Sequence, residues 1–274
     1  RPYTACAIVK GLQFTDEMIK EIMQAQEKLA TTHGRNRKKS AYGIYPLNTI
    51  TFPIKYVAKD PKDILFQPLG FSKKIRANEV EELHPMGKKY RHIAQGWTKY
   101  PFFIDAKNNV MCMLPYTNSH DTGKVDEATK EIFIECTGTD LQNVTVALNM
   151  FVTLFADRGG KIYSLEIEYP DQKIITPDLT PIKMVLDLNY VNKRLGLKLN
   201  DKQVQELLKK MGYGWDHSHV LIPAYRADIL HQVDLIEDIA IAYGYENFQE
   251  EIPNVATTGE ENQFEVFSNK VREI

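Results

Sequence analysis

Cysteine is scarce and unpaired in this chain of 274 residues. Cys6, Cys112 and Cys136 form no CxxC pair, and their odd number excludes a closed disulfide framework. That usage fits a reducing cytoplasm. No apolar run approaches the roughly 20 residues that a membrane-spanning helix needs. No secretory leader is visible. Excess positive charge is lacking too. A formal net charge of -2 and a pI near 6.4 exclude a non-specific nucleic-acid coat, so any RNA contact must be local. Neither Gly11 nor Gly159-Gly160 belongs to a phosphate-binding fingerprint, so no ATP site is legible. His84, His92 and His120 lack metal-ligand spacing, and His217-Ser218-His219 reads as a surface hairpin tip. Internal repeats and low-complexity tracts are absent.

What is present is a foldable chain. Hydrophobic residues make up 43%, enough for a proper core. Residues 1–14 alternate as a strand, with Tyr3, Ala5, Ala7 and Val9 on one side. Thr15-Asp16-Glu17 opens a helix that Ile19, Ile22, Met23, Gln26, Leu29 and Ala30 continue and Gly34 stops. A basic loop, Arg35-Asn36-Arg37-Lys38-Lys39, leads into a short strand, AYGIYPLNTI. From 53 to 100 prolines interrupt the pattern, and only a charged helical piece near 78–83 stands out. PFFIDAKNNVMCMLP then reads as a hairpin turning at Lys107-Asn108-Asn109. EIFIECTGTD is a β-branched strand that places Phe133, Glu135 and Thr137 on one face and Ile134 and Cys136 on the other. Thr139 or Asp140 caps the following helix, which ends at Gly159-Gly160, and KIYSLEIEYP is a further strand.

A boundary is expected near 177–181. Beyond it lie a strand (184–188), two helices, a hairpin ending at Ile222 and an acidic helix. In that helix Ile229, Val233, Ile236, Ala240 and Tyr243 recur at helical spacing and predict a buried face. Asp234, Glu237 and Asp238 stand at i, i+3 and i+4 on another face, with Asp228 just before the helix. Carboxylates grouped in this way need a cation or a basic partner, unless water solvates them near a helix start.

The wording of residues 223–253, PAYRADILHQVDLIEDIAIAYGYENFQEEIP, resembles a segment of the beta subunit of phenylalanyl-tRNA synthetases. The resemblance implies that Asp228, Asp234, Glu237 and Asp238 help hold a magnesium ion at the contact with an alpha subunit. It further implies an assembly of two alpha and two beta subunits, with ATP and phenylalanine bound in the alpha subunit. EIFIECTGTD, preceded by NSHDTGKVDEATK, is similar to the editing module of the archaeal and eukaryotic type of that subunit. By position it implies an editing pocket of Glu135, Thr137, Cys112 and Phe103, in which Glu135 accepts a hydrogen bond from the hydroxyl of a misattached tyrosine. Two departures are evident, since the archaeal form usually has serine at Cys112 and often aspartate at Glu135. No residue offers itself as a general base. The basic loop resembles the R-K-R…G-I-Y segment beside that pocket, which implies contact of Arg35, Arg37, Lys38 and Lys39 with the tRNA acceptor end.

The fold class expected is α+β, a mixed-sheet module at 1–178 followed by a small winged-helix-like α/β domain at 179–255. Residues 256–274 read as the start of a further segment, and the chain, which begins at Arg1 without Met, reads as an excised piece. The expected function is removal of tyrosine from the phenylalanine tRNA, in the cytoplasm and away from membranes. A non-catalytic RNA-binding or assembly module remains the alternative.

Overall fold

Small and β-branched residues make Tyr3–Lys10 a strand (β1), and Ala5, Ala7 and Val9 lie fully buried on one of its faces. The computed structural model describes residues 2–250 and 259–274. After β1 comes α1 (Asp16–Thr31), whose first turn is capped by the Thr15 hydroxyl accepting from the Met18 amide at 3.1 Å. The first unit continues through β2 (Ser40–Pro46), β3 (Lys55–Lys59), β4 (Leu65–Phe66), β5 (Ile75–Arg76), α2 (Val80–Leu83) and α3 (Pro85–Tyr90). It then runs through β6 (Tyr100–Ile104), β7 (Val110–Met113), β8 (Thr117–Asn118), α4 (His120–Gly123), β9 (Glu131–Gly138), α5 (Leu141–Ala156), β10 (Lys161–Glu168) and β11 (Lys173–Thr176). The second unit holds β12 (Ile182–Val185), α6 (Leu188–Leu195), α7 (Asp201–Lys210), β13 (Gly214–Asp216), β14 (His219–Ile222) and α8 (Gln232–Tyr243). A last helix, α9 (Gln263–Arg272), follows.

The main sheet has the order β11-β10-β1-β9-β2, and a second sheet has the order β3-β6-β7-β8. Helices α1 and α5 cover one face of the main sheet through Ile22, Val144, Leu148 and Phe151, against Ile132, Ile134 and Cys136. The opposite face packs on the second sheet through Cys6, Tyr45 and Phe133, against Phe103, Met111 and Cys112. Strand β9 is therefore buried on both sides, and its inward-facing polar residues lie between two layers. A mixed sheet was the expectation. Every strand pair among the described residues is antiparallel, because neighbours run back along each other and no helix carries the chain to a parallel partner.

The second unit sets β12-β14-β13 against α6, α7 and α8 around Val191, Leu208, Val220, Ile222, Leu235 and Ile239. Its strands are antiparallel as well, which makes it α+β in character. Periodicity misplaces one residue of α8. Val233 is 42% exposed, and the buried side begins a turn later at Leu235 and Ile236. The first turn is spent on its cap, with His231 Nδ1 accepting from the Val233 amide at 3.2 Å. The expected boundary at 178/179 falls between β11 and β12, whereas that at 255/256 lies outside the described residues. Asn149 in α5 ties the units together, its amide donating to Asp178 O at 2.8 Å and Ala224 O at 3.2 Å. No described helix is long and apolar enough to cross a membrane.

Candidate functional site

Glu135 stands at the centre of β9, between Cys6 on β1 and Gly43 on β2 in the antiparallel register. It is fully buried, as is Thr137 two residues on. Burying a carboxyl group demands hydrogen-bonding partners. The Tyr45 hydroxyl lies 3.3 Å from Glu135 Oε1 and 3.1 Å from Asn118 Oδ1. Gly43 leaves the space that this arrangement fills, since a Cβ there would lie 2.5 Å from both Glu135 Oε1 and the Tyr45 hydroxyl. Phe103 pairs with Cys112 across β6 and β7, and Cys112 pairs with Asn118 across β7 and β8. The structure thus brings Glu135, Thr137, Cys112 and Phe103 into the same interlayer space. Burial, and then the neighbouring Glu135, push the Cys112 thiol up, which keeps it a neutral thiol and not a nucleophile. Cys6 is raised to about 12, chiefly by burial.

In front of this group opens a cleft of about 500 Å³, a size suited to a small-molecule or nucleoside ligand. Its walls are largely apolar, with Ile19, Ile22, Met23 and Tyr42 on one side and Leu114 and Tyr116 on the other. None of the four expected pocket residues lines it. Glu135 and Thr137 sit one strand inward of Ala41, and Cys112 one strand inward of Asn118, both of which do. Ala41 is the register partner of Thr137 and accepts from its hydroxyl at 3.4 Å. Asn118 reaches Glu135 through Tyr45.

Several polar groups in the cleft, Gln26 and Glu27 among them, are ones that sequence reading passed over. Gln26 was counted only as a member of the α1 apolar stripe, although a polar residue on such a stripe is itself the signal. It donates to Tyr42 O at 2.7 Å. Glu27 is bonded by Lys89 at 3.0 Å, and that bond holds its carboxyl below the usual range. Arg37 departs from the expected solvated phosphate clamp. Its guanidinium donates to Pro115 O at 3.1 Å and Tyr116 O at 3.2 Å, pairs with Glu27 at 3.6 Å and lies over the Tyr90 ring. The cause is backbone geometry: Arg35, Asn36 and Arg37 have φ of 48°, 54° and 61°, a left-handed turn that sends Arg37 inward. Arg35 and Lys38 remain exposed, and Lys39 is half-buried.

His84 fixes the remaining wall. Its Nδ1 accepts from the Met86 amide at 3.1 Å, capping α3, and its Nε2 donates to Leu69 O at 3.2 Å. The Nδ1 bond requires the neutral ring, and burial, with Arg37 nearby, outweighs the Leu69 bond and lowers its pKa from 6.5. A depressed value favours the neutral folded form. His84 therefore contributes its full stability above pH 6.5, and that share is lost as pH falls from there through the folded value. His84→Asn keeps an acceptor for the cap and removes the titration. Its melting temperature should fall less steeply between pH 7 and pH 5 than that of the parent, and parallel curves would refute the role.

The acidic residues of the second unit do not come together. Asp238 is buried, 2.8 Å from Arg226 and 2.5 Å from the Tyr213 hydroxyl. Asp228 takes the other side of Arg226 at 2.6 Å, which lowers its pKa. Asp234 Oδ2 accepts from the Leu230 and His231 amides, both at 2.8 Å, and Glu237 accepts from Tyr245 at 2.9 Å. Among the described residues no group of three or more His, Cys, Asp or Glu could hold a metal ion. The expected magnesium ligands of this chain are engaged elsewhere, and a basic partner, Arg226, answers the charge of two of them.

A family profile described as "tRNA synthetase B5 domain" matches residues 184–245. The phenylalanine–tRNA ligase beta subunits of Thermococcus sibiricus and Pyrococcus abyssi are each 41% identical over 278 aligned positions, covering all of this chain and half of each relative. The chain thus spans about half the length of the curated relatives it matches. A solved N-terminal fragment of the phenylalanyl-tRNA synthetase beta subunit from Pyrococcus horikoshii superposes with a TM-score of 0.85 at 42% identity, covering 89% of this chain and 72% of that one. With most of that fragment matched in both sequence and fold, the chain belongs to the phenylalanyl-tRNA synthetase beta-subunit family.

Proposed function

We propose that the first unit hydrolyses tyrosine from the phenylalanine tRNA, in the cytoplasm, as the proofreading part of a phenylalanine–tRNA ligase. An apolar synthetic pocket rejects an added hydroxyl only about a hundredfold, so a second site that captures the hydroxyl is needed. One observation carries the reading: a wholly buried carboxyl, Glu135, lies one strand inward of an open cleft of nucleoside size and is joined to it through Tyr45 and Asn118. The aminoacyl ester occupies the cleft. Its phenol passes between Ala41 and Asn118 toward Glu135, with Thr137, Cys112 and Phe103 around the ring. Gln26, Glu27, Arg37 and Asn118 surround the ester. Arg35, Lys38 and Lys39 lie near the incoming phosphates.

Ligation itself, with ATP and phenylalanine, belongs to an alpha subunit, against which the second unit docks in an assembly of two alpha and two beta subunits. The chain's own carboxylates give no support to a magnesium site, so no step is routed through one. The test is incubation with tyrosyl and phenylalanyl esters of the phenylalanine tRNA. The tyrosyl ester should be lost faster than it decays spontaneously, with the phenylalanyl ester spared. Asn118→Ala should slow tyrosyl hydrolysis by roughly tenfold or more, because it removes a positioned amide beside the ester. Binding without ester loss would favour the RNA-binding module instead.

A further inference from the structure

The first unit holds a second cavity, of about 370 Å³. Tyr116 spans the two, lining the first cleft while its hydroxyl bonds Glu81, a wall residue of the second. Trp97, Tyr100, Asn78 and Lys62 complete the part that matters.

Glu81 is held for use. Its Oε1 accepts from the Tyr116 hydroxyl at 2.5 Å and from the Tyr100 hydroxyl at 2.6 Å. Burial first, and then Glu81, raise the Tyr100 hydroxyl to about 12 and push Tyr116 further up, so both stay donors. Among the described residues no protein group bonds the other oxygen, Oε2. A carboxylate fixed by two donors at one oxygen is ready to accept an N–H at the second. Trp97 offers a flat, half-buried wall and is steadied edge-on by Tyr100 at 5.8 Å between centroids. Lys62 is exposed at the rim. Residues 53–107 carry eleven Lys and Arg against six Asp and Glu, in a chain whose net charge is -2. A cationic ligand is disfavoured by that basic exterior, and a purely anionic one by Glu81. A flat ring with N–H donors and an attached phosphate satisfies all three features.

We propose that this cavity binds a nucleotide whose base carries an exocyclic amino group, with the ring stacked on Trp97, the amino group donating to Glu81 and the phosphate beside Lys62. Binding needs no hydrolysis, so it stands or falls apart from the proofreading reading. The chain has two tryptophans, and Trp215→Phe leaves Trp97 as the sole emitter. Titration of that variant with cytidine monophosphate should quench emission saturably. Uridine monophosphate, equal in size and charge but with a carbonyl in place of the amino group, should bind at least about tenfold more weakly. Glu81→Gln, whose amide can turn to serve either base, should erase the difference.

Ligand line broadening on the unsubstituted chain gives the same comparison without any tryptophan change. A cytidine trinucleotide binding about tenfold tighter than the monophosphate assigns the site to an RNA strand, and equal binding assigns it to a free nucleotide. No saturable binding by either method, equal binding of the two monophosphates, or discrimination that survives Glu81→Gln overturns the proposal.

Discussion

Asp238→Ala should destabilise the second unit by about 3 kcal/mol. The side chain is buried in the middle of α8, between the core residues Ile236 and Ile239. It accepts from both Arg226 and Tyr213. Truncation leaves a guanidinium and a phenol facing a hole without their shared acceptor, and an unanswered buried charge is among the costliest defects a fold can carry. The figure stays at the lower end of the usual range because Asp228 still holds the other edge of Arg226. Glu237→Ala is the contrast. That carboxylate sits on the exposed side and, among the described residues, bonds only Tyr245, so its loss should stay within about 0.5 kcal/mol. In a Trp97→Phe background, Trp215 reports unfolding of the second unit alone. Equal denaturation midpoints for the two variants would remove the network from the account of this unit's stability.

If the proposed proofreading function holds, Gly43→Ala should cost the site its preference for tyrosine. The added methyl would lie 2.5 Å from Glu135 Oε1 and from the Tyr45 hydroxyl, and 2.8 Å from the Tyr45 ring. Glu135 and Tyr45 are both fully buried, so neither can swing into open space. Overpacking of this kind costs about 1–3 kcal/mol. The carboxyl must shift, and the hydrogen bond proposed to separate tyrosyl from phenylalanyl ester is lost with it. That bond is worth about 1–3 kcal/mol, so preference should fall by roughly one to two powers of ten. The ratio of the two hydrolysis rates is measured on one preparation, which cancels any unfolded fraction. Glu135→Ala should lower the ratio to the same degree, and the double variant should add little, because both changes remove one interaction. A Gly43→Ala protein that discriminates as the parent does would end the case for this geometry.

Local pattern carried much of the architecture. The alternation of EIFIECTG assigned Phe133, Glu135 and Thr137 to one face and Ile134 and Cys136 to the other, and the two clusters of the structure divide along that line. Asp140 caps α5 through the Asn143 amide, as its side-chain chemistry favours. Asp105 accepts from the Lys107 and Asn109 amides and closes the hairpin turn. What could not be read was pairing across distance. Arg226 meets Asp238 only once α8 has packed, and until then Asp238 looks like one more member of an acidic face. Arg37 looks solvated until Pro115 and Tyr116 supply carbonyls from another part of the chain. The cleft draws on α1, β2, β8 and α4 at once, and no single window of sequence contains it. Gly43 gave no signal by itself, since its meaning is the side chain of Glu135 across the ladder.

The Asn149 amide joins matters that are otherwise far apart. It projects from α5, the helix laid along the back of β9, and it grips the backbone of the second unit at Ala224. Any tilt of the second unit would be transmitted as torque on the same helix that supports β9. One side chain thus couples the backbone of the second unit to the helix that backs β9.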